Sequence, residues 1–253
     1  MKNLILILTI LVVLISCEKK ETPLTFDTKI YNAEVLEACS TGMCPVISIE
    51  KITTSGAGAF SDTINNAVNQ VLINALIISP DEELTVKTLD QALSNFITSY
   101  RVYRNDYPDA AAEYEINSKS QISFESENLL SIIFDNYTYW GGAHGYGSTT
   151  YINFDKEGHE QLSNADLFTD QAGFLKFAET QFRNQKGISK DQNINSGGYF
   201  FENDNFSLPE NIGFKGDKLI LIYNPYEIAS YADGQIILEF SIAEVQKYLR
   251  TNL

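Results

Sequence analysis

The chain has 253 residues and a formal net charge of −15, with 44% apolar and 12% aromatic residues. This composition indicates a globular protein of one large or two small domains, because the apolar content is too high for a disordered chain. So large an excess of acidic groups disfavours nucleic acids, anionic lipids and polyanionic glycans as partners, and it suits a basic protein.

The amino terminus has the pattern of an export signal. Lys2 precedes an apolar run from Leu4 to Ile15, which is too short for a membrane span of roughly 20 residues and typical of a signal-peptide core. The run ends in Leu14-Ile15-Ser16-Cys17, which resembles a lipobox. We therefore predict a lipoprotein signal peptide over residues 1–16, lipid on Cys17 and a tether over residues 17–25. An ordinary signal peptide with an incidental cysteine is the alternative.

Such a signal places the mature chain outside the cytoplasm. We predict a protein anchored by lipid to a cell membrane, either on the periplasmic side of the outer membrane or on the cell surface. Cys39 and Cys44 then remain as an even pair on either side of a short turn, which in an oxidising compartment favours a disulfide. Two thiolates without a nearby histidine are too few for a zinc site, so we assign no metal and no cofactor.

Residues 26–106 change from strand to helix periodicity. Alternating apolar residues predict strands at Phe26–Leu36 and Val46–Thr53. Apolar residues at helical spacing then predict helices over residues 60–78 and 88–106. Pro80 and the acidic segment Asp81-Glu82-Glu83 separate the two helices.

After Glu113 the pattern returns to strands. Strands are predicted near 114–124, 129–140 and 149–154, a helix at 171–185, strands at 218–223 and 235–241, and a short helix at 243–249. This order lacks a regular alternation of strand and helix. It therefore predicts an α+β fold with mainly antiparallel sheets and packed helices, divided into parts at 26–112 and 113–253.

Two segments carry a family resemblance. The first is Tyr137-Thr138-Tyr139-Trp140-Gly141-Gly142-Ala143-His144-Gly145, and the second runs from Tyr223 through Tyr226-Glu227-Ile228 to Gly234. Together they resemble domain-of-unknown-function family 3298, and the preceding residues are similar to its usual companion, family 4163. This is the PdaC/RsiV-like architecture, and the resemblance covers about residues 25–250. Ser230 is a departure, because many members have proline there.

The resemblance implies a binding or sensing role near the cell wall. Family members include extracytoplasmic parts of regulators that sense lysozyme and modules attached to peptidoglycan deacetylases. The implied function is a lipid-anchored envelope module that binds a cell-wall glycan or a basic protein such as lysozyme. An envelope scaffold without a small ligand is a further alternative.

The candidate binding residues lie around the glycine-rich loop and in the Tyr226-Glu227-Ile228 segment. An aromatic patch of this kind suits a glycan or a protein, because tyrosine and tryptophan make good anchors; the glycines also suit a purely structural bend. The candidates are Tyr139, Trp140, His144, Tyr146, Tyr226 and Glu227.

A catalytic alternative rests on a possible pair between His144 and Glu227. The carboxylate would orient the imidazole and raise its pKa, which suits a cell-wall carbohydrate-modifying enzyme. The pair lacks an evident nucleophile, so no catalytic residue is assigned.

Overall fold

The computed structural model describes residues 22–77, 85–109 and 112–250. The predicted signal peptide, Cys17 and most of the tether lie outside this range, as do Pro80 and Asp81-Glu82-Glu83. The last tether residues are bound to the domain, because the Ala57 N–H donates to the Thr22 carbonyl at 2.7 Å and Thr25 begins the first strand. In the part of the chain described, no helix has both the length and the apolar content to cross a membrane.

Nine strands and four α-helices are found in the described residues. The strands are β1 (Thr25–Asn32), β2 (Val46–Ser55), β3 (Glu115–Glu125), β4 (Leu129–Tyr139), β5 (Tyr146–Asp155), β6 (Glu160–Leu162), β7 (Asn211–Lys215), β8 (Lys218–Tyr223) and β9 (Ile236–Ser241). The helices are α1 (Ala59–Leu76), α2 (Leu89–Asp106), α3 (Gln171–Lys186) and α4 (Ile242–Val245).

The strands form two sheets. The first has six strands in the order β1-β2-β3-β4-β5-β6, and the second has three in the order β7-β8-β9. The pairing of β2 with β3 is parallel, and the other pairings are antiparallel. The parallel pair needs a long crossover, and α1 and α2 provide it. The predicted α+β fold with mainly antiparallel sheets is confirmed.

The elements stack in four layers. Helices α1 and α2 pack on one face of the six-stranded sheet around a core that includes Ile64, Phe96 and Phe134. The other face of β4 and β5 contacts β7 and β8 of the smaller sheet. Helix α3 covers the outer face of that sheet through Phe174 and Phe182.

Strand β4 lies at the centre of this stack. Its residues from Leu129 to Phe134 are all buried, so this stretch is continuously apolar apart from Ser131 and does not alternate. Beyond Phe134 the alternation returns, with Asp135 and Tyr137 exposed and Asn136 and Thr138 buried. The change marks the point where the smaller sheet stops covering β4, and the candidate site lies there.

Two polar side chains connect the sheets across their buried interface. The Ser131 hydroxyl accepts a hydrogen bond from the Phe214 N–H at 3.2 Å, and the Asn153 amide donates to the Ile212 carbonyl at 2.8 Å. Both bonds satisfy buried groups of β7, which would otherwise be costly to desolvate. They also hold β7 at a defined position on the first sheet.

Several predicted boundaries were wrong for local reasons. The first strand ends at Asn32 rather than Leu36, because the Asn32 side chain accepts from the N–H groups of Glu34 and Val35 and forms a turn. Strand β5 begins at Tyr146, three residues before the predicted start. The last helix ends at Val245, and strands β6 and β7 were not predicted because three to five residues carry too little periodicity.

The predicted disulfide between Cys39 and Cys44 is confirmed. It closes a loop that α2 holds from the side, because the Arg101 guanidinium donates to the Met43 carbonyl at 2.8 Å and to the Ala38 carbonyl. The disulfide loop is therefore bound to helix α2, whereas the glycine-rich loop connects strands β4 and β5.

Close packing between the sheets predicts the effect of one substitution. A Cβ atom at Gly213 on β7 would overlap the Tyr151 ring on β5. We expect Gly213→Ala to lower the free energy of unfolding by about 1–3 kcal/mol through overpacking, as measured by urea denaturation. Gly142→Ala is the control, since a Cβ there has no heavy atom within 4 Å; equal destabilisation by both variants would contradict this account.

Candidate binding surface

The glycine-rich segment is a hairpin loop between β4 and β5. The last paired residues before it are Thr138 and Tyr146. Gly145 is buried, and a Cβ atom there would overlap the ring of Tyr137. A glycine is therefore required for the loop to fold back over β4, and this part of the motif is architectural.

The second motif follows β8 and is bound to the edge of β5. The Asn224 side chain accepts from the Thr149 N–H at 2.9 Å and donates to the Thr149 carbonyl at 3.0 Å. This amide supplies the pair of hydrogen bonds that a neighbouring strand would make. The loop after β8 therefore protects an exposed part of the β5 edge.

Glu227 stabilises the same loop. One carboxylate oxygen accepts from the Glu210 N–H at 2.8 Å and the other from the Asn224 N–H at 2.9 Å. Burial raises the pKa of Glu227, and the two backbone hydrogen bonds oppose that rise. Because both oxygens bind backbone groups, Glu227 is a structural residue of the turn.

His144 contacts aromatic rings in place of the predicted carboxylate. Its ring stacks on Tyr231 with centroids 3.9 Å apart, and its Nε2 lies 3.4 Å from the Tyr226 hydroxyl. The Tyr231 hydroxyl donates to the Gly145 carbonyl at 2.8 Å. The structure does not form the His144–Glu227 ion pair, so the catalytic alternative loses the contact on which it was based.

The two motifs thus meet in a group of rings that we call the junction cluster, formed by His144, Tyr226 and Tyr231. Tyr226 is 54% exposed and has a backbone φ of 71°. A positive φ is costly for a residue other than glycine, and here the Tyr226 N–H donates to the Ala229 carbonyl at 3.1 Å. Strained residues of this kind cluster at functional sites. In this conformation the Tyr226 phenol is exposed to solvent.

Trp140 and Tyr139 point elsewhere. Trp140 packs edge-on against Phe96 of α2, with centroids 5.9 Å apart, and the Tyr139 hydroxyl donates to the Gly142 carbonyl at 2.9 Å. The structure therefore divides the predicted aromatic patch. His144 and Tyr226 lie in the junction cluster, whereas Trp140 and Tyr146 line a separate cleft.

This helix-side cleft lies between the end of α1 and the ends of β4 and β5, and its volume is about 350 Å³. Val71, Ala75 and Ile77 supply an apolar wall. The polar and aromatic lining consists of Asn74, Asn136, Thr138, Trp140, Tyr146, Ser148 and Thr150. Burial raises the pKa of the Tyr146 hydroxyl, and the carboxylates of Glu227 and Glu210 raise it further, so this phenol stays neutral at physiological pH.

The lining of the cleft is neutral and rich in hydrogen-bonding groups. Asn136 accepts from the buried Ser118 hydroxyl at 2.6 Å, so its amide nitrogen is the group left for a ligand. Hydroxyls and amides around two aromatic rings are a common lining of small-molecule sites, in which the rings supply apolar contact and the polar groups set orientation.

The sequence pattern did not identify Asp135, Asn136, Tyr137 and Tyr231 as site residues. The available signal was the period of two in β4, which places residues 135, 137 and 139 on one face and residues 136 and 138 on the other. No group of three or more His, Cys, Asp or Glu side chains that could hold a metal occurs in residues 22–77, 85–109 and 112–250. His159 lies outside the junction cluster and stacks on Phe60.

Comparisons with protein families match both parts of the chain. A family described as deacetylase PdaC matches residues 45–146, and a family described as a protein of unknown function (DUF3298) matches residues 165–243. These matches support the assignment of the chain to the PdaC/DUF3298 family. His144 lies in the PdaC match, and Tyr226 and Tyr231 lie in the DUF3298 match, so the junction cluster forms where the two regions meet.

A curated relative is the peptidoglycan-N-acetylmuramic acid deacetylase PdaC of Bacillus subtilis (strain 168). It is 26% identical over 152 residues, which cover 56% of this chain and 32% of the relative. The chain therefore spans about a third of that relative's length.

Two solved structures share the fold. A DUF3298 family member from Bacteroides fragilis has a TM-score of 0.64 at 18% identity and covers 90% of this chain and 94% of its own. A DUF3298 family protein from Pseudomonas aeruginosa has a TM-score of 0.57 at 18% identity, with 91% and 95% covered. The fold of the PdaC/DUF3298 chain thus extends over both matched regions.

The raised pKa of Glu227 predicts a pH dependence of stability. A carboxyl group whose folded pKa exceeds its unfolded value contributes stability below the unfolded pKa and loses it as pH rises through the folded pKa. We expect the free energy of unfolding of the wild type, minus that of Glu227→Gln, to fall between pH 4 and pH 7. Urea denaturation at several pH values measures this difference, and the exposed Glu160→Gln is the control. If the difference between wild type and Glu160→Gln falls equally with pH, Glu227 is not the source of the pH dependence.

Proposed function

We propose that this PdaC/DUF3298 chain is a cell-envelope module that binds a cell-wall glycan, held outside the cytoplasm by lipid on Cys17. The observation that carries the proposal is the helix-side cleft, whose lining combines two aromatic rings with neutral amides and hydroxyls. The match to a relative whose name refers to peptidoglycan supports a role at the cell wall.

The chemistry of the cleft favours an N-acetylated amino sugar. The apolar wall of Val71, Ala75 and Ile77 suits the acetyl methyl group, and the Asn136 amide suits its carbonyl oxygen. Tyr146 offers a ring surface for the apolar face of a sugar. A neutral ligand also fits the acidic chain, which repels polyanions.

The proposal is limited to recognition. The curated relative is named as a deacetylase, but the aligned residues make up 32% of its length. A shared region of that size supports a common cell-wall setting. It gives no basis for assigning the relative's deacetylase reaction to this chain.

Substitutions in the cleft test glycan binding. We expect the purified chain from residue 22 to bind N-acetylglucosamine oligomers, and Tyr146→Ala to weaken binding about tenfold through the loss of an aromatic anchor. Thr150→Val keeps the shape and removes a hydroxyl from the cleft, so it should weaken binding by a smaller factor. Isothermal titration calorimetry measures both effects.

Thr28→Val is the matched control, because Thr28 is exposed on β1, outside the cleft lining. Equal binding by wild type, Tyr146→Ala and Thr150→Val, with all three folded, would refute the proposed use of this cleft.

A second candidate is a basic protein partner such as lysozyme. The specific observation is the exposed Tyr226 ring in the junction cluster on a chain of net charge −15. Exposed tyrosines are common anchors in interfaces, and opposite net charges accelerate encounter.

The two candidates differ in salt dependence and in the residues involved. If a basic protein binds, Tyr226→Ala should weaken lysozyme binding about tenfold or more, whereas Tyr146→Ala should leave it unchanged. Biolayer interferometry at low and physiological salt provides the measurement. Binding that disappears at physiological salt, or that Tyr226→Ala leaves intact, would argue against a specific interface at the junction cluster.

A further inference from the structure

A second cavity lies on the opposite face of β4 and β5, between the first sheet and the loop after β8. We call it the inter-sheet cavity; its volume is about 420 Å³. Asp135, Ser148 and Thr149 lie on its sheet side, and Pro225, Tyr231 and Gln235 lie on its loop side. Asn136 and Ser148 line both this cavity and the helix-side cleft, so the two are adjacent around the end of β5.

Internal hydrogen bonds use the side-chain donors of Gln235 and Thr149 in this cavity, and the donors of Asn136 and Ser148 are shared with the helix-side cleft. The Gln235 amide nitrogen donates to the Asn224 side chain at 2.9 Å and lies 3.0 Å from the Thr149 hydroxyl. The Thr149 hydroxyl donates to Asp135 Oδ1 at 3.2 Å. Around the Gln235–Thr149–Asp135 chain of hydrogen bonds, the groups left for a ligand are therefore acceptors, namely the Asp135 carboxylate and the Gln235 carbonyl oxygen.

The aromatic part of the cavity has the same preference. The Tyr231 hydroxyl donates to the Gly145 carbonyl, so its oxygen remains an acceptor. His144 stacks on one face of the Tyr231 ring, so a cation would contact the ring through its other face. A carboxylate, an amide oxygen and an aromatic face around one space are suited to an ammonium group, which has three donors and a positive charge.

The charged groups near Asp135 leave room for such a ligand. Lys119 lies opposite Asp135 in the strand register, but its ammonium is paired with Glu50 on β2 at 3.1 Å. Asp135 is exposed, and its carboxylate accepts a hydrogen bond from the neutral Thr149 hydroxyl. The carboxylate is thus accessible, and a ligand ammonium does not have to displace a bound lysine.

We propose that the inter-sheet cavity binds the ammonium group of a de-N-acetylated amino sugar, next to an acetylated unit held in the helix-side cleft. This inference rests on the proposed glycan-binding function and gives it a preferred substrate class. The chain would distinguish partly deacetylated glycan from fully acetylated glycan, because the two cavities differ in the chemistry of their linings.

The test compares two oligomers of equal length, fully acetylated and partly de-N-acetylated N-acetylglucosamine, by isothermal titration calorimetry at physiological salt. We expect the wild type to bind the partly deacetylated oligomer about tenfold more tightly, the effect of one charge-assisted hydrogen bond. Asp135→Asn should abolish this preference while leaving the affinity for the acetylated oligomer unchanged. Asp191→Asn, an exposed carboxylate outside the cavity lining, is the matched control and should keep the preference.

Each outcome has a defined meaning. Equal affinity of the wild type for both oligomers, or a preference that Asp191→Asn reduces as much as Asp135→Asn, would overturn the ammonium site. Loss of acetylated-oligomer binding in Tyr146→Ala with the preference unchanged in Asp135→Asn would support the cleft alone. Binding of the deacetylated oligomer that depends on Asp135, without binding of the acetylated one, would refute the helix-side cleft and retain the ammonium site.

Discussion

The burial of β4 on both faces is the constraint on which the rest of the structure depends. Helices α1 and α2 cover one face, and β7 and β8 cover the other, so every residue from Leu129 to Phe134 is removed from water. Packing this close requires Gly213 where Tyr151 approaches β7, and it requires Ser131 and Asn153 to satisfy backbone groups of that strand. The two matched family regions are joined through this interface.

The candidate surface exists because this coverage stops at Phe134. Past that point the strands β4 and β5 continue without the smaller sheet, and their hairpin meets the loop after β8. Asn224 and Glu227 use their polar atoms to complete backbone hydrogen bonds. The rings of His144, Tyr226 and Tyr231 remain at the surface, where they can contact a ligand.

The two faces of the same hairpin differ in chemistry. On the helix side, residues at even positions of β4 and β5 line a neutral cleft with an apolar wall. On the other side, Asp135 and Gln235 supply free acceptors to a cavity in which the Gln235 and Thr149 donors are internally bonded. Alternation along a strand places adjacent residues on opposite faces, so one short hairpin supports two adjacent sites with different preferences.

The sequence by itself determined the α+β class, most of the helices and strands, the Cys39–Cys44 pair and the two family motifs, because these follow from local periodicity and spacing. It also indicated an aromatic loop, yet it grouped Trp140 with His144 and paired His144 with Glu227. Only the tertiary structure decided those contacts, since they depend on which loop lies against the edge of β5. The tertiary structure also revealed Tyr231 as the partner of His144, and it placed Asp135 and Gln235, which are 100 positions apart in sequence, in the lining of one cavity. Contacts between such distant segments are set by the packing of the layers and leave no local pattern in the sequence.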